Sequence, residues 1–462
     1  MASNTSIPTE LGTENIGKLL KQYALPAIIA QTASSLYNMV DSIFIGQGVG
    51  PLAISGLAIT FPLMNLSTAF GTLVGAGAAT MLSVLLGQQH YKAANKVLGN
   101  VVSLNIIIGL VFMAVALIFI DPILYFFGAS ENTLPYAKEY IQIILYGNII
   151  THLYFGLNAA MRSTGFPKKA MALTIFTVVI NTVLDPLFIF KFNMGIKGAA
   201  WATVIAQAVA MLIVMSHFNN RTRAIHFDKG IVRMHWKVAK NSLIVGMGPF
   251  LMNAAACIVT LFINQQLRDY SGDLGIGAYG ICNRFIFMFI MICMGLFQGM
   301  QPIAGYNFGA RQYMRVKEVF WKTAKMATVV TCICFFIGQF FPRAAVGIFT
   351  HDPELKELAA SALRILTIAF PTVGFQMIGT NFFQSLGMVK RSIFLSLTRQ
   401  LIFLLPALYI LPIFIGTKGV WFSFTISDIV SALLTAILLR GLFKKFNTLK
   451  DGDNSSILGG HL

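Results

Sequence analysis

Runs of about twenty apolar residues, the length that crosses a bilayer as a helix, recur along nearly the whole chain. Candidate spans fall near residues 25–45, 56–84, 97–120, 138–161, 170–191 and 198–217. They continue near 243–267, 276–304, 320–341, 362–386, 393–415 and 419–440. This spacing predicts an all-α integral membrane protein of about twelve helices. Composition agrees: hydrophobic residues make up 56% of the 462 and charged residues only 11%, too few to clothe a soluble fold of this size.

The charge left over is ordered. The net charge of +17 sits in short Lys and Arg clusters between apolar runs, with no basic face interleaved with stacking aromatics, so nucleic acid is not an expected partner. Placing the amino terminus inside collects most of the basic residues on the same side. These include Lys18 and Lys21, then Lys92 and Lys96, then Arg162, Lys168 and Lys169. The central loop adds Arg221, Arg223, Lys229, Arg233, Lys237 and Lys240. The positive-inside rule then puts both termini in the cytoplasm, and the expected location of this multi-pass chain is the plasma (inner) membrane. The polar first 22 residues do not read as a cleavable signal. Cys257, Cys282, Cys293, Cys332 and Cys334 all lie in apolar stretches, without disulfide or zinc spacing.

The chain also repeats itself. Gly87 and Tyr91 recur 222 residues later as Gly309 and Tyr313, and Ser163, Gly165 and Lys168 recur as Ser385, Gly387 and Lys390. Pro26 answers to Pro249, and Lys197-Gly198 to Lys418-Gly419. With an even number of spans in each half, the repeat is parallel, about an axis along the membrane normal. The expected organisation is an amino lobe over 1–217, a polar linker over 218–242 and a carboxy lobe over 243–462.

Ionisable groups inside a bilayer are costly, and each one is a functional candidate. Asp41, Asp185 and Asp428 qualify. Counted from the expected outer ends of their helices at 1.5 Å per residue, Asp41 lies about 7 Å deep, and Asp185 and Thr203 about 9 Å deep. Asn181 precedes Asp185 by one helical turn. Two carboxylates, an amide and a hydroxyl at one level make a site for a proton or for a hard monovalent cation such as Na⁺, which prefers oxygen ligands. A structural alternative exists for Asp185, which precedes Pro186 and could serve a kink. Asp428, about 15 Å into the last span, is either a second ion or substrate residue, in a second candidate polar site with Asn264 and Arg284, or a structural partner of Arg284 or Arg399. His152 reads as a hydrogen-bonded interior residue rather than a relay. Pro26 stands either at a helix start or, if the helix begins near Lys18, at an internal bend. No nucleophile–base pair, zincin motif or phosphate loop is present, so an enzyme is not expected.

Several stretches carry a family resemblance. LYNMVDSIFIGQGVGPLAISGLAITFP around Asp41, GLNAAMRSTGFPKKA from Gly156, NTVLDP from Asn181 and GAAWATVIAQ from Gly198 resemble multidrug and toxic compound extrusion (MATE) transporters of bacterial type. FQGMQPIAGYNFGA from Phe297 and QSLGMVKRSI from Gln384 do so as well. The resemblance runs from about Lys18 to Lys445. It implies two six-helix lobes in a V around a central cavity. The implied activity is export of organic, often cationic, small molecules in exchange for H⁺ or Na⁺, by a monomer in membrane lipid with no cofactor. It also implies that the family's amino-lobe cation site falls on Asp41, Asn181, Asp185 and Thr203, and its bending first helix on Pro26. One departure stands out: some branches carry an acid in the seventh helix, whereas here the repeat position of Asp41 is Asn264. The rival readings are a lipid-linked oligosaccharide flippase of the same superfamily, whose cavity would need several cationic side chains for pyrophosphate, and a passive channel or receptor.

Overall fold

The computed structural model describes residues 9–228, 234–350 and 352–453. Lys229 and Arg233, and the extreme ends of the two expected lobes, lie outside them. The described chain is helical, with no strand, as a backbone that must satisfy its own polar groups in lipid requires. Nine described helices are long and apolar enough to cross a membrane, from Leu52–Gly87 to Thr417–Thr448. A tenth arises if the bent pair Pro353–Thr367 and Phe370–Ser385, at 55° to one another, is one span. Two of the expected twelve fall outside that count for physical reasons. The Ile16–Gly48 helix is diluted by Gln31, Ser34, Ser35, Asp41 and Gln47. The expected fourth span is broken at Gly147 into Leu134–Tyr146 and Asn148–Ser163.

Backbone geometry repeats more faithfully than sequence does. The fourth-span break at Gly147 matches that at Ala369, 222 residues on. Gly195 and Gly416, each preceding a long helix, share φ 58° with ψ −139° and −141°. Gln89 and Arg311 both have φ 59°. Gly50 and Gly272, and Gly165 and Gly387, are also left-handed pairs at the same spacing. Independent turns would not choose the rare positive-φ region at matching positions.

The chain divides into two compact units that do not follow the linker. One takes Ile29–Phe250; the other takes Glu14–Ile28 and the chain from Leu251 onward. The Ile16–Gly48 helix therefore changes unit two residues after Pro26, which lies inside it. The helix beginning at Trp236 changes unit just after Pro249. In the first unit a Cβ on Gly77 would stand 2.0 Å from Ser242 O, and one on Gly246 would stand 1.7 Å from Leu73 O. In the second, a Cβ on Gly299 would meet Ala24 Cα at 2.4 Å, and one on Gly295 would meet Ile28 Cα at 2.6 Å. Small residues allow this backbone contact where lipid supplies little drive for helices to associate.

Candidate functional site

The first unit brings the sequence-predicted acids together. Asp41 comes from the Ile16–Gly48 helix and Asp185 from the Pro167–Pro186 helix; they are 5% and 0% exposed. Their carboxyl groups interact electrostatically with each other, so ionising both at once is costly. Asn181 donates from Nδ2 to Asp185 Oδ1 at 2.9 Å, the one-turn pairing on a helix face. Asp41 Oδ1 and Asp185 Oδ2 are buried and have no hydrogen-bond partner. Two anionic oxygens left unpaired at the level of a bilayer interior are costly. A proton or a small cation removes that cost.

Thr203 lies beside this pair through a residue the sequence reading did not single out. Tyr37, one turn before Asp41, shares a hydrogen bond with Thr203 Oγ1 at 2.9 Å. Tyr37 also interacts electrostatically with both carboxyls, as does the buried Tyr140 from Leu134–Tyr146. Two phenols thus stand around the carboxyl pair. Their spacing from Asp41 in sequence flags Tyr37; nothing flags Tyr140. The wall behind them is an apolar cluster of Ile45, Ala53, Ile189, Ile196, Ala199, Ala200 and Val204, which excludes competing water from one side. Immediately after Asp185-Pro186 the helix loosens into a π-turn over Leu187–Lys191, while the Asn181–Asp185 turn stays α-helical.

The other candidates separate. Pro26 is internal to its helix, where its ring removes one backbone hydrogen bond. His152 is fully buried and bonds Ser67 through Nε2, at 3.1 Å to Oγ and 2.9 Å to the carbonyl. It is one hydrogen-bonded group in a tight interior. In the second unit Asp428 takes Arg399 as partner, Nε donating to Oδ1 at 2.7 Å. Arg284 is exposed, and Asn264 is half-buried. Among the described residues no group of three or more His, Cys, Asp or Glu side chains is placed to hold a metal ion.

The MatE family profile matches residues 26–187 and again 247–410, once in each half. The chain belongs to the MatE family. Among its MatE relatives is the multidrug export protein MepA of Staphylococcus haemolyticus, 27% identical over 428 residues, which are 93% of this chain and 94% of MepA. MepA of Staphylococcus aureus is similarly 27% identical, over 91% and 93% of the two chains. Of solved MatE structures, the multidrug transporter DinF-BH is 37% identical, with a TM-score of 0.88 over 95% of this chain and 98% of its own. An outward-facing multidrug resistance MATE transporter superposes with a TM-score of 0.90 at 23% identity, over 96% and 99%; that likeness is one of fold.

Proposed function

We propose that the protein is a secondary active efflux transporter of the plasma membrane, exporting organic compounds, cationic ones among them, in exchange for H⁺ or Na⁺. The observation that carries the exchange is the pair of buried acids, Asp41 and Asp185, with one unpartnered oxygen on each carboxyl. Ionised together, the two groups repel at close range; one proton, or one cation held by both with Asn181 and Thr203, relieves the repulsion. Multidrug export is the named activity of the MepA relatives and multidrug transport that of DinF-BH, which supports the substrate side of the proposal.

Coupling requires that the ion bind one conformation more tightly than another. The Asp41 helix contains Pro26 and passes from one compact unit to the other near it. Any change at Asp41 therefore acts on a helix with a built-in weak point in its hydrogen-bond ladder. The test is Asp41→Asn in proteoliposomes, with Na⁺ and pH gradients imposed separately on a fluorescent organic cation. The variant should accumulate and melt as the parent does and lose gradient-driven export. Export that still follows either gradient at the parental rate would overturn the proposal. The parent's response to each gradient alone identifies the coupling ion.

A further inference from the structure

The second unit carries basic side chains at the end where few are expected. The helix Tyr313–Phe340 begins beside the carboxy-terminal segment, where Tyr313 Oη donates to Asp453 O at 3.1 Å. Its 28 residues rise about 42 Å. Phe340 therefore stands at the opposite end of the unit, the end that the charge pattern of the sequence expects outside. A cavity of about 280 Å³ opens there, with Arg343, Arg364 and Lys418 in its lining and Glu357 as its one acid. The helices around it are pinned to one another. Gln339 Nε2 donates to Arg364 O at 2.6 Å, and Thr425 Oγ1 donates to Ile365 O at 2.8 Å. Arg343 and Glu357 meet fork to fork, Nε to Oε1 at 2.8 Å and Nη2 to Oε2 at 3.0 Å. Among the described residues neither the Arg364 nor the Lys418 side chain has an acid to pair with. Three cations against one acid leave the lining with a net charge of +2.

The repeat supplies an internal control for this charge. In the first unit the corresponding end is neutral: Lys138 pairs with Asp121 at 2.8 Å and Lys197 with Glu139 at 3.1 Å. At the spacing of 222 set by the left-handed pairs, Asp121 becomes Arg343, Lys138 becomes Ala360 and Glu139 becomes Ser361. Lys197 stays a lysine, as Lys418, at the spacing of 221 that relates Gly195 to Gly416. Both acids are gone, one to an arginine and one to a serine, and Lys418 keeps its charge without the partner that Lys197 has. A rim that only meets water is served equally well by the neutral arrangement. The positive-inside rule, moreover, disfavours extra cations at this end.

We propose that this cavity binds the phosphate group of an anionic lipid in the leaflet on that side. Arg364 and Lys418 donate to the phosphate oxygens from two different helices, and Arg343 adds charge while its fork stays with Glu357. Cations arriving from several helices surround a tetrahedral group, whereas a single guanidinium fork already satisfies a planar carboxylate. The rest of the lining includes Pro342, Ile365 and Phe422, and Phe340 and Phe341, next in sequence to Pro342, are exposed. Apolar surface beside the charge suits a lipid, whose glycerol and acyl groups continue from the phosphate, and offers a free phosphate ion nothing. Basic pockets between transmembrane helices hold anionic head groups by this combination. The site does not depend on exchange at Asp41 and Asp185, and stands if that reading fails.

The test is native mass spectrometry of the purified full-length protein in detergent. It is titrated with phosphatidylglycerol, with phosphatidylcholine, and with phosphatidylglycerol in competition with inorganic phosphate. Ser361→Glu restores the acid found in the first unit, and Lys418→Gln removes the cation. Each should weaken the most tightly held phosphatidylglycerol by about tenfold, the loss of one charge-assisted contact. Phosphatidylcholine, whose own cation offsets its phosphate, should change by less than about twofold. Lys356→Gln removes a charge at the same end from outside the lining and should bind phosphatidylglycerol as the parent does. Ser361 and Lys418 are exposed, so both variants should melt with the parent in lipid-free detergent. Equal loss in Lys356→Gln, or unchanged phosphatidylglycerol binding in Ser361→Glu and Lys418→Gln, would overturn the site. Displacement of the lipid by millimolar inorganic phosphate would assign the cavity to the free ion and overturn the lipid.

Discussion

At the scale of single residues, the acid pair sets a sharp expectation for its neighbours. Asp185→Asn keeps a hydrogen-bonding group beside Asn181 but removes the second ionisable site, so on the proposed exchange the pair loses one of the two carboxyls that would take up and release the ion. Gradient-driven export should fall at least about a hundredfold, the low end of what a positioned acid–base group contributes, with melting temperature in detergent little changed. Tyr37→Phe removes the partner of Thr203 Oγ1. It should cost about 1 kcal/mol of stability and shift the ion concentration for half-maximal export, measurable in the same vesicles. Asp41, Asn181, Asp185 and Thr203 were legible in the sequence because carboxyl groups inside apolar runs are conspicuous, and because helical rise converts position into depth. Tyr37 was equally legible, four residues before Asp41 on the same face. Tyr140 was not, since one phenol in an apolar helix looks like any interfacial tyrosine. The choice of Arg399 over Arg284 as the partner of Asp428 depends on which helices are neighbours, which linear spacing does not encode.

At the scale of elements, the recurring backbone conformations predict matched sensitivities. Gly195 and Gly416 hold the same positive-φ geometry at the start of the Ile196–Asn219 and Thr417–Thr448 helices. Neither has a crowded Cβ position, the nearest atoms being 3.9 Å away at Gly195 and none within 4 Å at Gly416. Alanine at either should therefore cost about 1–3 kcal/mol through backbone strain alone, and by similar amounts at both. Two helix-interior glycines should behave oppositely. Gly246→Ala drives a Cβ to 1.7 Å from Leu73 O and should cost about 2–3 kcal/mol. Gly441→Ala, with nothing within 4 Å, should gain about 0.5–1 kcal/mol. Thermal unfolding of the four variants in one detergent checks both claims, and a uniform response would contradict them. Apolar run length foretold most of these helices. It did not foretell the break at Gly147, because that break is set by packing: a Cβ there would lie 2.5 Å from Val204 Cγ2. A run of suitable composition says how much helix can lie in lipid, while the neighbour across the interface says where it bends.

For the whole molecule, the repeat and the compact units do not coincide, and that mismatch has a consequence for assembly. Each unit contains a segment of the opposite half: Glu14–Ile28 belongs with the chain from Leu251 onward, and the helix from Trp236 as far as Phe250 belongs with Ile29 onward. The exchanged segments seat on glycines, Gly77 against Ser242 in one unit and Gly299 against Ala24 in the other. A half-chain made alone would lack the segment that fills its glycine-lined face and would expose backbone to lipid with no partner of matching shape. Cutting the chain between residues 228 and 234 should therefore give two fragments that fail to accumulate when expressed singly. Co-expressed, they should assemble into a complex that binds and exports a fluorescent cation. Membrane accumulation and protease resistance of each fragment, alone and together, measure this. A stable, protease-resistant amino-terminal fragment on its own would show that the exchanged segments are not required, and that each six-helix half folds as the linear repeat alone would suggest. If the complementation holds, a bend at Pro26 acts on a segment shared between the two units rather than on one lobe. The ion binding proposed at Asp41 would then act on the second unit through the covalent chain.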